Sequence, residues 1–260
     1  MKKRPIKILQ WNARGLFRAK LQEFKANLHK HNPLIVLLSE THWKDDYTIR
    51  FSAYNSFVLN RPNMGGGVAV LVKKGIQSNI LQLPRFSNIE AIGVSIKLNN
   101  IVLDAISVYC PNGNTCSYQE IESLFNSSTN SIVIGGDFNA HSRIWDDHHP
   151  PNACGKAISD FLLNDNTRSL STPKNLNTRP SIHDFTSSTI DLTPQQTWPF
   201  LPQFTQEAIG VVITYQSSSQ STSTTNQRSR RSLNGDLMTT YGKIGIWRLP
   251  PTLTTLTSLL

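Results

Sequence analysis

Ser131-Ile-Val-Ile-Gly-Gly-Asp-Phe-Asn-Ala-His-Ser142 decides how the rest of the chain is read. Ile132 to Ile134 is an apolar, β-branched run of the length of a buried strand. Gly135 and Gly136 mark a bend or a close backbone approach. Asp137, Asn139 and His141 follow at alternate positions, so in extended chain they leave the strand on one face. An acid, an amide and an imidazole at the C-terminal edge of a strand occupy the place where open α/β sheets bind ligands. Taken alone, the segment reads equally well as a strand ending in a polar turn, since Asp and Asn are common turn formers.

Outward from this segment, other apolar runs end the same way. Ile6 to Asn12 alternates as a strand and turns at Gly15. Leu16 to His31 carries Leu21, Phe24 and Leu28 on one helical stripe, and Leu34 to Leu38 is a second buried strand ending at Glu40. Strand, helix and strand at this spacing form a crossover unit, or else an antiparallel return. Tyr54–Leu59 and Val68–Val72 flank Gly65-Gly-Gly67. No helix pattern follows those glycines, so they read as a hairpin turn rather than a phosphate cradle. Glu90–Leu98 and Ile101–Val108 form another hairpin, which leads to Tyr109-Cys-Pro-Asn112. Tyr118–Phe125 and Gly155–Asn164 are helical, and Ile190–Leu192 is a short strand carrying Asp191. Each polar group could be a cap or a turn residue. Their repetition at equivalent strand ends is what points to a site.

The 260 residues suffice for one large domain or two small ones. A net charge of +9 suits a polyanionic partner. Cys110, Cys116 and Cys154 lack metal-type spacing and read as reduced thiols of an intracellular protein. No apolar run reaches the roughly 20 residues of a membrane span, so no membrane partner is expected. Hard oxygen groups such as Glu40 and Asp137 suit Mg²⁺ or Mn²⁺ better than zinc. Around such an ion, carboxylates, amides and a tyrosine make a phosphodiester site. Asp137 would orient or deprotonate water, and Asn12, Asn112 and Asn139 would donate to phosphate or position the nucleophile.

QWNARGL, LLSETHW, VYCPNG, GGDFNAHS and SSTIDLT, in this order, resemble the endonuclease/exonuclease/phosphatase family. They most resemble the apurinic-endonuclease-like domain at the head of non-LTR retrotransposon polyproteins, over about residues 5 to 193. The resemblance implies a four-layer α/β sandwich of the DNase I-like kind. It implies DNA as substrate, nicked to leave a 3′-hydroxyl that primes reverse transcription, and a reverse-transcriptase domain in the intact element. It implies nuclear action for an active element. By the same resemblance Glu40 binds the metal with support from Asn12, and Tyr109 and Asn112 contact the scissile phosphate. Asp137 activates water beside Asn139, and Asp191 orients a catalytic histidine.

That histidine, expected in a Ser-Asp-His segment on the last core strand, is absent. No histidine follows His183. From about residue 194 the chain turns rich in Thr, Ser and Gln, as in Ser217–Thr225. Residues 1–193 therefore read as the nuclease-like domain, incomplete at its end, and 194–260 as a disordered tail with a short strand signal at Ile244–Leu249. Codons allowed for Ile209–Ser217, read from each third base, permit Arg-Ser-Ser-Asp-His-Leu-Pro-Ile. This motivates the hypothesis that the tail is an out-of-frame reading of an intact element. Coding DNA whose third bases do not spell Asp-His would dismiss it. On this reading the sheet's final strand is missing or replaced, nicking is impaired, and Asp191 has lost its imidazole. His141, His148, His149 and His183 are the substitutes at hand. Two rival functions are a sugar or lipid phosphoesterase of the same fold and a non-catalytic DNA-binding remnant.

Overall fold

The computed structural model describes residues 6–44, 49–62, 65–99, 101–165, 167–170, 172, 174–175, 178–180, 187–196, 209–216 and 245–246. The elements run β1 (Ile6–Asn12), α1 (Arg18–His31), β2 (Ile35–Ser39), β3 (Tyr54–Leu59), β4 (Val68–Lys73), β5 (Ser78–Leu81), β6 (Glu90–Leu98), β7 (Ile101–Tyr109), α2 (Tyr118–Phe125), β8 (Ser131–Asp137) and α3 (Ala153–Asn164). Short strands follow: β9 (Arg168–Leu170), β10 (Arg179–Pro180), β11 (Ser187–Ser188), β12 (Asp191–Leu192) and β13 (Pro194–Gln196). Beyond them lie β14 (Ile209–Gln216) and β15 (Gly245–Ile246).

Two mixed sheets form. One has the order β15-β14-β1-β2-β4-β3, the other β5-β6-β7-β8-β13-β9, with β12 also paired to β8. Alternation along the strands divides the apolar residues into three layers. Ile8, Ile35, Leu37, Val70 and Val72 face Leu103, Ala105 and Val133 between the sheets. Their neighbours Leu9, Trp11, Val36, Leu38 and Leu71 point outward and pack with Phe24 and Leu28 of α1. On the far side Ile106, Val108, Ile132 and Ile134 pack with Ile121 and Phe125 of α2 and Ile158 and Phe161 of α3. Period-two strands flanked by helices thus give the expected four layers. Polar bridges tie the sheets: Gln10 donates from Nε2 to the Gly136 carbonyl (3.2 Å) and accepts from Thr193 Oγ1 (2.6 Å), and Ser107 Oγ donates to the Leu38 carbonyl (2.7 Å).

The crossover is parallel, with β1 and β2 in register from Ile8–Ile35 to Asn12–Ser39. Helix α1 stops where Asn32 adopts the left-handed conformation (φ 46°) and returns its N–H to the Leu28 carbonyl, just before Pro33. Helix α2 starts with a capping box: Ser117 Oγ accepts from the Glu120 amide, and Glu120 Oε2 accepts from the Ser117 amide. The glycine hairpin joins β3 and β4.

The expected bare edge beside β1 is corrected. Residues Ile209–Gln216 lie parallel to β1 along its whole length, from Ile6–Ile209 to Asn12–Gln216. The composition of the region is polar, but Ile209, Val211, Val212 and Ile213 are themselves a β-branched run and fill the slot in the frame in which they stand. The boundary at 193 does not end the sheet either, because Pro194–Gln196 pairs with β9 and Gln195 with Val133 of β8. Gly245–Ile246 falls within the short strand expected at Ile244–Leu249 and pairs with β14. His183 and most of 194–260 lie outside the described residues.

Candidate active site

The two parallel pairs bring four strand ends to one rim. Asn12 closes β1, and Glu40 follows β2 directly. Tyr109 ends β7 in register with Asp137 at the end of β8. Asp191 opens β12 directly across from Asp137. The amide of Asn12 stands between two acids, Nδ2 donating to Glu40 Oε1 (2.9 Å) and to Asp137 Oδ2 (2.6 Å). Asn139 acts on the cluster from behind: its N–H donates to Asp137 Oδ1 (2.9 Å) and its Nδ2 to the Cys110 carbonyl (2.9 Å). Asn12, Asp137 and Asp191 are buried, while Glu40 is half-buried.

Like charges in a dry place shape the electrostatics. Burial pushes the Asp137 carboxyl well above its ordinary value, and the Asp191 and Glu40 charges push it further against the Asn139 hydrogen bond. Burial also raises Glu40, but hydrogen bonds from His42, Asn12 and the Asp137 carboxyl outweigh it and hold Glu40 at about 2. Burial and like charge therefore favour the protonated form on the deeper Asp137 and the ionised form on Glu40. Burial and the charges of Glu40 and Asp137 raise the Tyr109 phenol, which keeps it protonated as a donor. Four of the eight non-glycine residues with positive φ among the described residues, Arg14, Glu40, His42 and Asn139, surround this rim. Such backbone strain collects at functional sites.

The donor set fits a hard divalent cation. Glu40, Asp137 and Asp191 converge, and all supply oxygen. A cation held by Glu40 and Asp137 would offset the repulsion that raises the Asp137 carboxyl.

Asn112 stands apart from the acids. Its Oδ1 accepts from the Asn114 amide (3.0 Å), and it lines a neighbouring cleft of about 440 Å³ with Arg61, Asn88, Glu90 and Thr115. Two residues near the rim are not among the candidates drawn from sequence, His42 and Glu90. His42 places Nε2 3.5 Å from Glu40 Oε2; its signal was its position in the Glu40-Thr-His42 segment. Glu90 fastens the glycine hairpin, accepting from the Gly67 amide (2.7 Å) and pairing with Arg61 (2.9 Å). A Cβ on Gly66 would lie 2.7 Å from Glu90 Oε1, so the glycines make room for a carboxylate. The three cysteines are free thiols, buried together with their sulfurs within 4.8 Å of one another.

Residues 103–202 match the family model described as endonuclease-reverse transcriptase. The structure is similar to the endonuclease domain of TRAS1, a telomere-specific non-LTR retrotransposon, with a TM-score of 0.59, 18% identity, and coverage of 74% of this chain and 85% of that one. The fold is the DNase I-like fold of endonuclease/exonuclease/phosphatase-type domains. The same fold appears in the AP endonuclease LMAP from Leishmania major (TM-score 0.55, 12% identity, 72% of this chain and 78% of that one). Curated relatives of the domain include the probable RNA-directed DNA polymerase from transposon X-element of Drosophila melanogaster, 28% identical over 65% of this chain and 19% of the relative. Another is the RNA-directed DNA polymerase from mobile element jockey of Drosophila funebris, 32% identical over 64% of this chain and 18% of the relative. The chain spans about a fifth of the length of these relatives.

Proposed function

We propose that the domain is a Mg²⁺- or Mn²⁺-dependent endonuclease that nicks DNA, acting in the nucleus next to a reverse transcriptase in the intact element. The observation that carries this reading is the convergence of Glu40, Asp137, Asp191 and Tyr109 about the Asn12 amide at one strand-end rim. The surplus of basic over acidic residues up to residue 193, 21 against 15, favours a polyanion over a sugar or lipid phosphate.

Glu40, already ionised, would hold the metal, and Asn12 would keep its carboxylate aimed inward. The metal, when bound, supplies charge to the phosphate oxygens and the leaving group. Asp137, once its proton has gone, takes one from the attacking water. Asn139 fixes the Asp137 carboxylate, so we assign it a positioning role. Tyr109, a protonated donor, would bond to a phosphate oxygen, with Asn112 reaching the same strand from the neighbouring cleft. Asp191 would have oriented an imidazole that this chain does not carry in a Ser-Asp-His segment. Loss of one positioned acid–base group costs about 10²–10⁴-fold in rate, so nicking is impaired by that order.

The test is plasmid nicking with Mg²⁺ and with Mn²⁺ by the wild type, Glu40→Ala and Asp137→Asn. Weak, metal-dependent nicking that both substitutions abolish is expected. Nicking unaffected by either substitution refutes the assignment. The missing imidazole favours one second reading, a DNA-binding remnant, which predicts salt-dependent binding with no nicking under either metal.

A further inference from the structure

The loop after β8 holds a second group of ligating side chains that the acidic rim does not use. Trp145, buried, donates from Nε1 to the Ala140 carbonyl (3.1 Å) and fixes the loop. Asn152 ties its far end back, accepting at Oδ1 from the His141 amide (3.1 Å). Asp146 is fully buried between these anchors. One oxygen, Oδ1, accepts from the His148 amide (3.0 Å). The other, Oδ2, faces two imidazoles: His141 Nδ1 at 3.2 Å and His149 Nδ1 at 3.0 Å. It also faces the Thr189 amide at 3.4 Å. The two rings stack with centroids 4.8 Å apart. The three ligand atoms all lie within 4.8 Å of one another. Both histidines keep an opening to solvent, with side-chain exposures of 22% and 28%.

Two imidazole nitrogens and one carboxylate oxygen are a ligand set for borderline divalent ions, not for magnesium. The N–O separations of 3.0 and 3.2 Å are close to the edge of a tetrahedron with bonds of about 2.05 Å, roughly 3.3 Å. The carboxylate needs little movement to accept an ion, because the His148 amide already orients it from behind, the support such ligands require. We propose that His141, Asp146 and His149 form a second metal site, distinct from the acidic rim, which takes a zinc-class divalent cation and leaves one position open to water. The ion would clamp the loop to the segment at Thr189, two residues before Asp191.

The full chain is titrated with Co²⁺ in excess Mg²⁺, which occupies the all-oxygen rim, and the visible d–d band is followed. His149→Ala is the chosen variant because His149 is part-exposed and leaves the Asp146 hydrogen bonds to His148 and Thr189 in place. The wild type is expected to show one equivalent with a nitrogen-coordinated band. His149→Ala should bind at least about tenfold more weakly and lose that band, whereas Glu40→Ala should keep both. Zn²⁺ should raise the melting temperature of the wild type and not that of His149→Ala. Equal Co²⁺ affinity and spectrum in His149→Ala, loss of the band in Glu40→Ala, or no band in the wild type overturns the proposal. Nicking in Mg²⁺ alone reports on the acidic rim independently.

Discussion

Gly136 is a position where a single methyl group should do great harm. It lies in β8 between Gly135 and Asp137, paired with Val108 of β7. A Cβ there would sit 1.8 Å from the Val108 carbonyl oxygen, 2.7 Å from its carbon and 2.9 Å from its nitrogen. All three are backbone atoms of the adjacent strand, so no rotamer change relieves the clash. Reaching even 3.0 Å requires the strands to part by about 1.2 Å locally. Overpacking of a core costs about 1–3 kcal/mol when side chains can yield. Here the parallel ladder must yield, so Gly136→Ala should cost more than about 3 kcal/mol. Gly135→Ala is the internal control. Its Cβ would meet Gln10 Oε1 and Leu37 Cδ1, each at 2.7 Å, and both are ends of flexible side chains. That change should cost roughly 1–2 kcal/mol. Urea unfolding followed by the fluorescence of buried Trp11 and Trp145 measures both. An equal or larger loss for Gly135→Ala would refute the close-approach argument. Any Gly136→Ala protein that folds should also nick far less, since a shift of about 1 Å in a reacting group costs on the order of 10²-fold.

Three other perturbations follow from the same structure. Gln10→Leu deletes the intersheet bonds to Gly136 and Thr193, and at about 1–3 kcal/mol for each buried group left unsatisfied it should destabilise by roughly 2–6 kcal/mol in urea unfolding. Burial pushes the Glu120 carboxyl up, but bonds from Asn88, Ser117 and Ser87 together outweigh it, so the carboxyl lies below its ordinary value. Stability from a depressed carboxyl is full above the unfolded pKa of about 4.3 and is lost as pH falls through the folded value. Glu120→Gln should therefore remove that part of the acid-side slope in a pH series of melting temperatures. Tyr54 donates to the Pro33 carbonyl (2.8 Å), and burial pushes its phenol up to about 12. Its contribution is complete below the unfolded pKa of about 10 and fades as pH rises towards 12, so Tyr54→Phe should lose about 1 kcal/mol at neutral pH and a smaller amount near pH 12. Equal losses at both pH values would contradict this.

Much of the architecture is legible because long β-branched runs and helical stripes are local signals. The helix at Tyr118–Phe125 and the hairpins at Gly65–Gly67 and Asn99–Asn100 follow directly from such patterns. The direction of β2 relative to β1 is not local; it is fixed only by packing α1 over both strands. Edge strand β5 was missed because Ser78–Leu81 is short and half-exposed, with no alternation to read. The strand at β14 is hidden in the sequence because the polar composition around it outweighs the five β-branched residues within it. At the rim, strand-end position alone brought Asn12, Glu40, Tyr109, Asp137 and Asp191 together. What spacing could not reveal are partnerships closed by folding: Glu90 with Gly67, the three thiols, and two imidazoles on Asp146.

The filled slot beside β1 separates two demands that the resemblance expects one segment to meet. Pairing with β1 asks only for backbone donors and acceptors and a β-compatible run, and many sequences satisfy it. An acid–base group asks for one side chain at one place, and at the rim end of β14 the residue in register with Asn12 is Gln216. A chain can therefore keep its sheet and lose its imidazole. The acids argue that the remainder is not a chance core. Asp137 and Asp191 face each other across a strand pair, both buried, with Glu40 joined to Asp137 through the Asn12 amide. Burying like charges together opposes folding. Selection for stability alone would replace one of them with an amide or a hydrophobe, whereas a site built to hold a cation against a phosphate requires them together.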